Sequence, residues 1–319
     1  MAVKTAINPQ VTKLLNSISK KMIELNHPPL DVLTPKQSRE FYQIARSYFT
    51  PIPVNGVTIE NTSITSAMRQ EVPVRIYTPF GEGPFPVLVY FHGGGWVFGD
   101  LDSSDNVCRY FSSKAGIVVV SVGYCLAPEH KYPAAFLDAV ESVKWTFQNV
   151  EKLNGDSKRI AVGGESSGGN LAAAAAIFFK GDEEFKLSHQ FLITPVMDYS
   201  FDTLSYKANY KFNLTTEKMK WFWAHYLNDS SEGSEIFVSP LKVPCAKHLP
   251  RTLLVTAELD PLRDEGLTFG KRLKEAGVNV ELLHYDDLVH SFINMIGTVD
   301  GAKQALEEMT IKLRELLHN

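Results

Sequence analysis

Short β-branched apolar segments alternate with amphipathic helical segments along most of this 319-residue chain. A helical segment between two apolar strands is typical of a βαβ crossover, which lays strands side by side in parallel and covers both faces with helices. The run over residues 87–91 has no polar alternation, as expected of a strand buried on both faces. The sequence therefore predicts an α/β fold with a mostly parallel sheet.

The alternation also gives the order of the elements. Strands are predicted over residues 57–64, 72–77, 87–91, 117–122, 159–162, 191–194, 253–256 and 278–283. Helices are predicted over residues 105–114, 134–149, 167–179, 262–276 and 302–317. Gly277 fits the stop signal of the helix before the last strand.

Two segments lie outside this alternation and predict a helical cap. Near the N-terminus, apolar residues such as Leu14, Ile18 and Met22 recur at three- and four-residue steps, and a second helical pattern starts at Pro35. More than fifty residues separate two later strands, too long for a structureless loop, and they contain an aromatic helical pattern over 214–227. We expect residues 1–50 and 198–238 to form a cap over a core made of residues 51–197 and 239–319.

Charge and cysteine content exclude several classes of protein. The chain has 32 basic and 36 acidic residues, so it lacks the basic excess of a nucleic-acid-binding protein. Its three cysteines have no CxxC spacing, which indicates neither a disulfide framework nor a zinc site. No N-terminal apolar signal region is present, and no apolar stretch approaches the roughly 18 residues of a membrane span. We expect a cytoplasmic protein without a membrane span.

The segment Gly164-Glu165-Ser166-Ser167-Gly168 lies between a predicted strand and an alanine-rich helix. In a G-x-S-x-G elbow the serine occupies a sharp strand-to-helix turn, flanked by small residues because the backbone and the neighbouring helix approach closely. The alternative, a glycine-rich phosphate loop, is not supported because G-x-G-x-x-G and the P-loop lysine are both absent. We therefore expect Ser166 to be a nucleophile at the carboxyl edge of the sheet.

A second motif, His92-Gly93-Gly94-Gly95-Trp96, follows the buried strand over 87–91. Successive glycines let backbone N–H groups turn outward without a Cβ in the way, as an oxyanion hole requires. We expect the N–H groups of Gly94, Gly95 and Ser167 to bind an oxyanion, helped by the positive end of the helix that starts at Ser167. His92 is interpreted as a structural residue that hydrogen-bonds the loop.

A serine nucleophile needs a base, and in chains with this elbow the triad runs serine, then acid, then histidine. The base should therefore follow the last strand, which leaves His284 and His290. His284 lies inside the strand pattern, so a role in the sheet is its better interpretation. His290 lies just beyond the strand, in a loop able to reach the elbow, and is expected to accept the Ser166 proton.

The acid that orients this base should follow the preceding strand. Asp260 does so, and Pro261 after it suits the first turn of a helix. Its rivals are Glu258, which lies close to the strand end, and Asp264, which is interpreted as a charge in the first turn of the helix. We expect Asp260 to accept the Nδ1–H of His290 and so fix its tautomer.

These motifs, together with the segments DPLRDEG and HSF in the same order, resemble the hormone-sensitive-lipase-like esterases, the bacterial family IV branch of the α/β hydrolases. Residues 124–130, YCLAPEH, are similar to the family's YRLAPE segment. The resemblance spans nearly the whole chain and implies an eight-stranded carboxylesterase with an acyl pocket beneath its cap and no metal or other cofactor. It assigns the triad and the oxyanion hole to the same residues as above.

Three residues depart from the family pattern. Glu165 and Ser167 stand where Asp and Ala are common, and Cys125 replaces the usual Arg. The G-x-S-x-G pattern stays intact, and Glu165 beside the nucleophile is expected to affect the pH dependence. Cys125 is interpreted as a small buried hydrophobe.

The sequence thus predicts a serine carboxylesterase that hydrolyses short- to medium-chain acyl esters through an acyl-enzyme. Trp96, Phe212 and Trp221 are expected to line the substrate pocket, and the neighbouring cap aromatics Phe222 and Trp223 are further candidates, although an aromatic stripe on a helix also serves packing. The alternatives are a non-catalytic receptor for a small ligand, which the presence of His290 disfavours, and amide hydrolysis, lactone hydrolysis or acyl transfer. A homodimer through the strand over 278–283 is expected by analogy.

Overall fold

The computed structural model of the protein describes residues 6–66, 71–208 and 212–318. The strands are β1 Val57–Ile64, β2 Val72–Pro79, β3 Phe85–Phe91, β4 Val118–Val122, β5 Gly155–Glu165, β6 His189–Ile193, β7 Arg251–Leu259 and β8 Val280–Val289. The helices are α1 Pro9–Glu24, α2 Pro35–Arg46, α3 Asp105–Ala115, α4 Ala134–Gln148, α5 Ser167–Phe178, α6 Leu204–Lys207, α7 Thr216–Tyr226, α8 Arg263–Glu275 and α9 Asp300–His318. Short 3₁₀ turns lie at Leu30–Val32, Ser230–Ser234, Pro240–Lys242 and Phe292–Met295.

All the strands belong to one sheet in the order β1-β2-β4-β3-β5-β6-β7-β8. β2 pairs antiparallel with both β1 and β4, and every pairing from β4 through β8 is parallel. The predicted α/β fold with a mostly parallel, eight-stranded sheet is therefore confirmed. The parallel pairings bring the carboxyl ends of β3, β5, β7 and β8 to one edge of the sheet, which is where open α/β sheets bind ligands.

The sheet is packed on both faces. Along β3, Val87 and Val89 join the core on the side of α4 and α5, whereas Leu88 and Tyr90 join the core on the side of α3 and α9. Every residue of β3 is buried, which is why its sequence lacks polar alternation. β8 is longer than predicted, because it is an edge strand with polar residues on its exposed side and the apolar signal stops before the strand does.

The cap segments lie beside the carboxyl edge of the sheet. α2 begins at a Thr34–Gln37 capping box, and its Arg39 joins it to the core. Arg39 donates to the carbonyls of Val97 and Ala127, both at 2.8 Å, and makes a two-pronged ion pair with Glu129 at 2.8 and 2.7 Å. The Arg39 hydrogen bonds lower the pKa of Glu129 to about 2. Some residues of the predicted cap and core lie outside the described residues. They are 1–5 and 209–211 of the cap, and 67–70 and Asn319 of the core.

Over the described ranges, no helix combines the length and the apolar character that a membrane crossing needs.

Candidate active site

The turn from β5 into α5 carries Ser166 in a constrained backbone conformation, with φ 56° and ψ −118°. Two backbone hydrogen bonds support it, from the Ser166 N–H to the Ile193 carbonyl at 2.9 Å and from the Val196 N–H to the Ser166 carbonyl at 3.2 Å. Gly168 must be a glycine, because a Cβ there would lie 2.0 Å from the carbonyl oxygen of Phe91. The small residues of the motif thus let β3 and α5 approach, and the serine is presented at the sheet edge.

Three side chains from separate elements meet at this elbow. Ser166 Oγ lies 2.9 Å from His290 Nε2, and His290 Nδ1 lies 2.8 Å from Asp260 Oδ2. All three residues are buried. The other oxygen of Asp260 accepts the N–H of Leu262 at 2.8 Å, which fixes the carboxylate for the imidazole. The arrangement has the geometry needed to pass a proton from Ser166 to His290 while Asp260 holds the ring.

The rival residues lie in other interactions. His284, within β8, hydrogen-bonds Thr256 at 2.8 Å. Glu258, within β7, is shared between Arg263 and His284. Asp264, in the first turn of α8, accepts the N–H of Ser205 at 2.8 Å.

Electrostatics favour proton uptake by His290. Burial lowers the pKa of the His290 imidazole, but the charge and hydrogen bond of Asp260, together with the charge of Glu165, outweigh it and raise the pKa above its usual 6.5. An imidazole with a raised pKa is a stronger base, and it is neutral and able to accept a proton only above that pKa.

The glycine loop after β3 lies beside the nucleophile. In the described chain, the N–H groups of Gly94, Gly95 and Ser167 donate no hydrogen bond to another protein group. Unpaired donors of this kind are available to a ligand oxygen, and that of Ser167 lies at the positive end of α5.

His92, which opens this loop, is buried with its Nδ1 2.8 Å from the Gly93 carbonyl oxygen. Its ring stacks on Tyr124 with centroids 4.3 Å apart, and the Tyr124 hydroxyl donates to the His92 carbonyl at 2.8 Å. Burial lowers the pKa of His92 to about 4, so the ring is neutral near pH 7. These contacts support the interpretation of His92 as a loop anchor.

A cavity of about 290 Å³ opens onto Ser166 and His290. The wall is mostly apolar and comes from α1, α2, the glycine loop and the segment around α7. Its large apolar members include Leu15, Ile18, Met22, Phe41, Phe49, Phe98, Met219 and Phe222. Its charged members are Glu165 beside the nucleophile and Lys218 on α7. The cavity therefore suits an uncharged, largely apolar molecule with its reactive group at Ser166.

No group of three His, Cys, Asp or Glu side chains suited to a metal ion occurs in the part of the chain that the structure describes.

Comparison with known proteins identifies the family. A family model described as an alpha/beta hydrolase fold matches residues 88–294. The carboxylic ester hydrolase LipN of Mycobacterium tuberculosis is 36% identical over 271 residues, which cover 83% of this chain and 72% of that protein. The chain belongs to the hormone-sensitive-lipase-like esterases of the α/β-hydrolase superfamily.

Other members match over nearly the full length. An ethyl acetate hydrolase of Pseudomonas putida is 30% identical over 98% of this chain and 100% of its own. Among solved structures, an ester hydrolase from the metagenome of Lake Arreo, in complex with a bipyridine phosphonate derivative, has a TM-score of 0.92 at 29% identity. That match covers 98% of this chain and 100% of the other. A hyperthermophilic esterase of the archaeon Pyrobaculum calidifontis has a TM-score of 0.90 at 31% identity over 98% and 99% of the two chains.

In this esterase, none of the three predicted pocket aromatics is part of the cavity wall. The ring of Trp96 is directed toward α7 and stacks on Tyr226 with centroids 4.3 Å apart. Trp221 is buried and packs against His225 and Phe98. Phe212 is half-buried against the apolar core on the α3 and α9 side of the sheet. The prediction for these three is corrected, whereas Phe222, another of the candidate cap aromatics, does lie in the cavity wall.

Sequence reasoning also missed polar residues around His290. The Asn213 side chain donates to the carbonyl of His290 at 3.0 Å, which ties the cap segment to the loop that carries this histidine. Asn294, four residues after His290, donates to Glu165. Neither asparagine belongs to a local motif, so no sequence signal marked either. The apolar periodicity did predict the helices α1 and α2, but it did not show that they line the cavity.

Proposed function

We propose that this protein hydrolyses short- to medium-chain acyl esters through an acyl-enzyme on Ser166. The observation that carries the proposal is the hydrogen-bonded series from Asp260 through His290 to Ser166 at the end of an apolar cavity. Relatives named as carboxylic ester hydrolase and ethyl acetate hydrolase support the same reaction class.

In the first half-reaction, Ser166 Oγ attacks the ester carbonyl carbon while His290 Nε2 takes its proton. The carbonyl oxygen becomes an oxyanion, which accepts hydrogen bonds from the N–H groups of Gly94, Gly95 and Ser167. When the intermediate collapses, the C–O bond to the alcohol breaks and His290 returns the proton to the leaving alkoxide. The acyl group then stays on Ser166 as an ester.

In the second half-reaction, water attacks the acyl-enzyme carbonyl while His290 takes a proton from the water. Collapse of this intermediate releases the carboxylic acid, and His290 returns the proton to Ser166 Oγ. Asp260 keeps its hydrogen bond to Nδ1 throughout and stabilises the imidazolium in both halves.

The size and character of the cavity support the chain-length part of the proposal. At about 290 Å³ it lies at the small end of the range for ligand pockets, and its wall is mostly apolar. A short or medium acyl chain fits such a space, whereas a palmitoyl chain exceeds it. The homodimer expected through the last strand remains a prediction, and β8 does lie at an edge of the sheet.

The test is an acyl-chain-length profile with p-nitrophenyl esters from acetate to palmitate. We expect the highest kcat/KM between acetate and octanoate, and we expect Ser166→Ala to lower kcat by roughly 10⁴–10⁶-fold, because the nucleophile is lost. Ser63→Ala, at an exposed serine of β1, is the matched control and should leave the profile unchanged. Unchanged turnover in Ser166→Ala would overturn the proposal, and binding of small ligands without turnover in the wild type would support the receptor alternative.

A further inference from the structure

A second buried carboxylate lies next to the nucleophile. Glu165 is the last residue of β5, is only 5% exposed and forms part of the cavity wall beside Ser166. Its two carboxylate oxygens accept from Asn294 Nδ2 at 3.4 and 3.3 Å. Among the described residues, no lysine, arginine or histidine makes an ion pair with it. An unpaired carboxylate at this depth is costly, so its presence calls for a functional explanation.

The Glu165 carboxylate is fixed by packing as well as by hydrogen bonds. A Cβ on Gly93 would lie 2.5 Å from Glu165 Oε2, so the carboxylate rests directly on the backbone of the glycine loop. A larger residue at position 93 would displace it. Glu165 is therefore confined between the loop that carries the proposed oxyanion hole and the turn that contains Asn294.

That turn also carries the base. The Asn294 N–H donates to the Ser291 carbonyl at 3.1 Å, one residue after His290, and its side chain donates to Glu165. The hydrogen bonds of Glu165 thus connect the strand end before the nucleophile to the segment that holds the imidazole. In a buried site, where the effective dielectric constant is low, a fixed charge acts strongly on its neighbours.

Charged and titratable groups reach this region from several elements. Asp260, after β7, and Glu165, at the end of β5, act on His290 itself. Besides burial, the charge of Glu165 raises the pKa values of Tyr42 on α2, Tyr90 in β3 and Tyr124. His27 after α1 and Lys218 on α7 also belong to the cavity wall. The Lys218 ammonium donates to the backbone carbonyl of Asn213 at 2.7 Å and makes no ion pair with Glu165.

We propose that Glu165 is a positioning residue for the proposed hydrolysis, whose fixed negative charge stabilises the imidazolium form of His290 after it has taken the Ser166 proton. The inference rests on the proposed function and adds to it a second carboxylate, which acts by charge, whereas Asp260 acts by a direct hydrogen bond. In support, the Glu165 charge is among the causes that raise the pKa of His290 despite its burial.

Two variants separate the charge of Glu165 from its hydrogen bonds. Glu165→Gln removes the charge but keeps the size and an acceptor for Asn294. Asn294→Ala keeps the charge and removes the hydrogen bonds. Removal of the nearby negative charge lowers the pKa of His290. Since His290 must be neutral to act as a base, activity then extends to lower pH.

The readout is the pH dependence of kcat/KM for p-nitrophenyl butyrate. We expect the acid-side midpoint of Glu165→Gln to move to lower pH, so that its activity relative to the wild type rises as the pH falls. Asn294→Ala should keep a midpoint closer to that of the wild type. If Glu165→Gln does not fold, Glu165→Ala takes its place. An unchanged midpoint without the carboxylate, or an equal shift in Asn294→Ala, would overturn the inference.

A second measurement keeps this test separate from the proposed function. The imidazole of His290 can be titrated by NMR with labelled histidine in the resting protein, with and without Glu165→Gln, and a His290→Gln sample assigns the signal. The expected result is a lower His290 pKa in Glu165→Gln. This result does not depend on turnover, so retained esterase activity in Ser166→Ala would overturn the proposed function alone. An identical His290 titration would overturn the role of Glu165 alone.

Discussion

At the scale of single residues, the site depends on backbone conformations that few side chains allow. Ser166 has φ 56° and Gly94 has φ 127°, the latter in a region that favours glycine. The chemistry-bearing groups are therefore oriented by the main chain before any substrate arrives. Orientation fixed in advance is what makes oxyanion stabilisation effective, because no reorganisation is needed during the reaction.

Gly94→Ala tests the glycine loop. A Cβ at this position would lie 2.2 Å from the carbonyl oxygen of Phe98, so the loop must shift. Its N–H groups would then no longer point toward the oxyanion. We expect kcat to fall by about 10²–10³-fold with a smaller change in KM, because these hydrogen bonds strengthen in the transition state. Steady-state kinetics with p-nitrophenyl butyrate measure both constants.

The matched control is Gly181→Ala, since Gly181 also has a positive φ, of 81°, but has no atom within 4 Å of the added Cβ. It should keep the wild-type kcat. A Gly94→Ala protein that melts cooperatively and keeps full kcat would contradict the role of the loop.

Residues in short motifs were predictable from the sequence, and residues placed by tertiary contacts were not. Ser166 and the glycines of the proposed oxyanion hole belong to local patterns, because a strand-to-helix turn needs small residues at set positions. Trp96 is adjacent to those glycines, yet its ring packs against α7. Sequence adjacency does not determine which way a side chain points, and this is why the prediction for Trp96 failed.

At the scale of elements, α1 and α2 supply one wall of the cavity. Leu15, Ile18 and Met22 of α1 are only half-buried, and they face the cavity together with Phe41 and other residues of α2. Helical periodicity predicted both helices, but an apolar stripe looks the same whether it packs on a core or lines a substrate cavity. The role of the stripe therefore became clear only from the fold.

Ala45→Phe tests this wall. Ala45 on α2 lines the cavity, so a phenyl ring there should take up space that longer acyl chains need. We expect the ratio of kcat/KM for octanoate to that for acetate to fall by about tenfold, corresponding to about 1.4 kcal/mol of lost apolar contact. Chain-length profiles of the wild type and the variant provide the measurement.

Glu40→Phe places the same ring on an exposed position of α2 and serves as the control. Its profile should match that of the wild type. An Ala45→Phe protein that keeps the wild-type ratio of kcat/KM for octanoate to kcat/KM for acetate would mean that the acyl chain lies elsewhere.

At the scale of the whole molecule, the parallel sheet makes the site possible. Ser166 and His290 are separated by 124 positions in the sequence, yet they meet because β5, β7 and β8 all end at the same edge. The alternation of strands and helices, together with the serine elbow and the order of the candidate residues along the chain, was enough to predict this convergence. The lengths of β5 and β8 and the contacts of the cap were not predictable, because edge exposure and long-range packing leave weak local signals.

The central claim is that one serine, activated by one histidine, carries the acyl group. The most direct measurement is reaction with a fluorophosphonate, followed by intact-mass and peptide mass spectrometry, on the wild type and on Ser166→Ala. The account predicts one phosphonyl group per wild-type chain, attached to Ser166, with loss of esterase activity in proportion to labelling and no label on Ser166→Ala. A label on a different residue, or full esterase activity in a fully labelled protein, would contradict it.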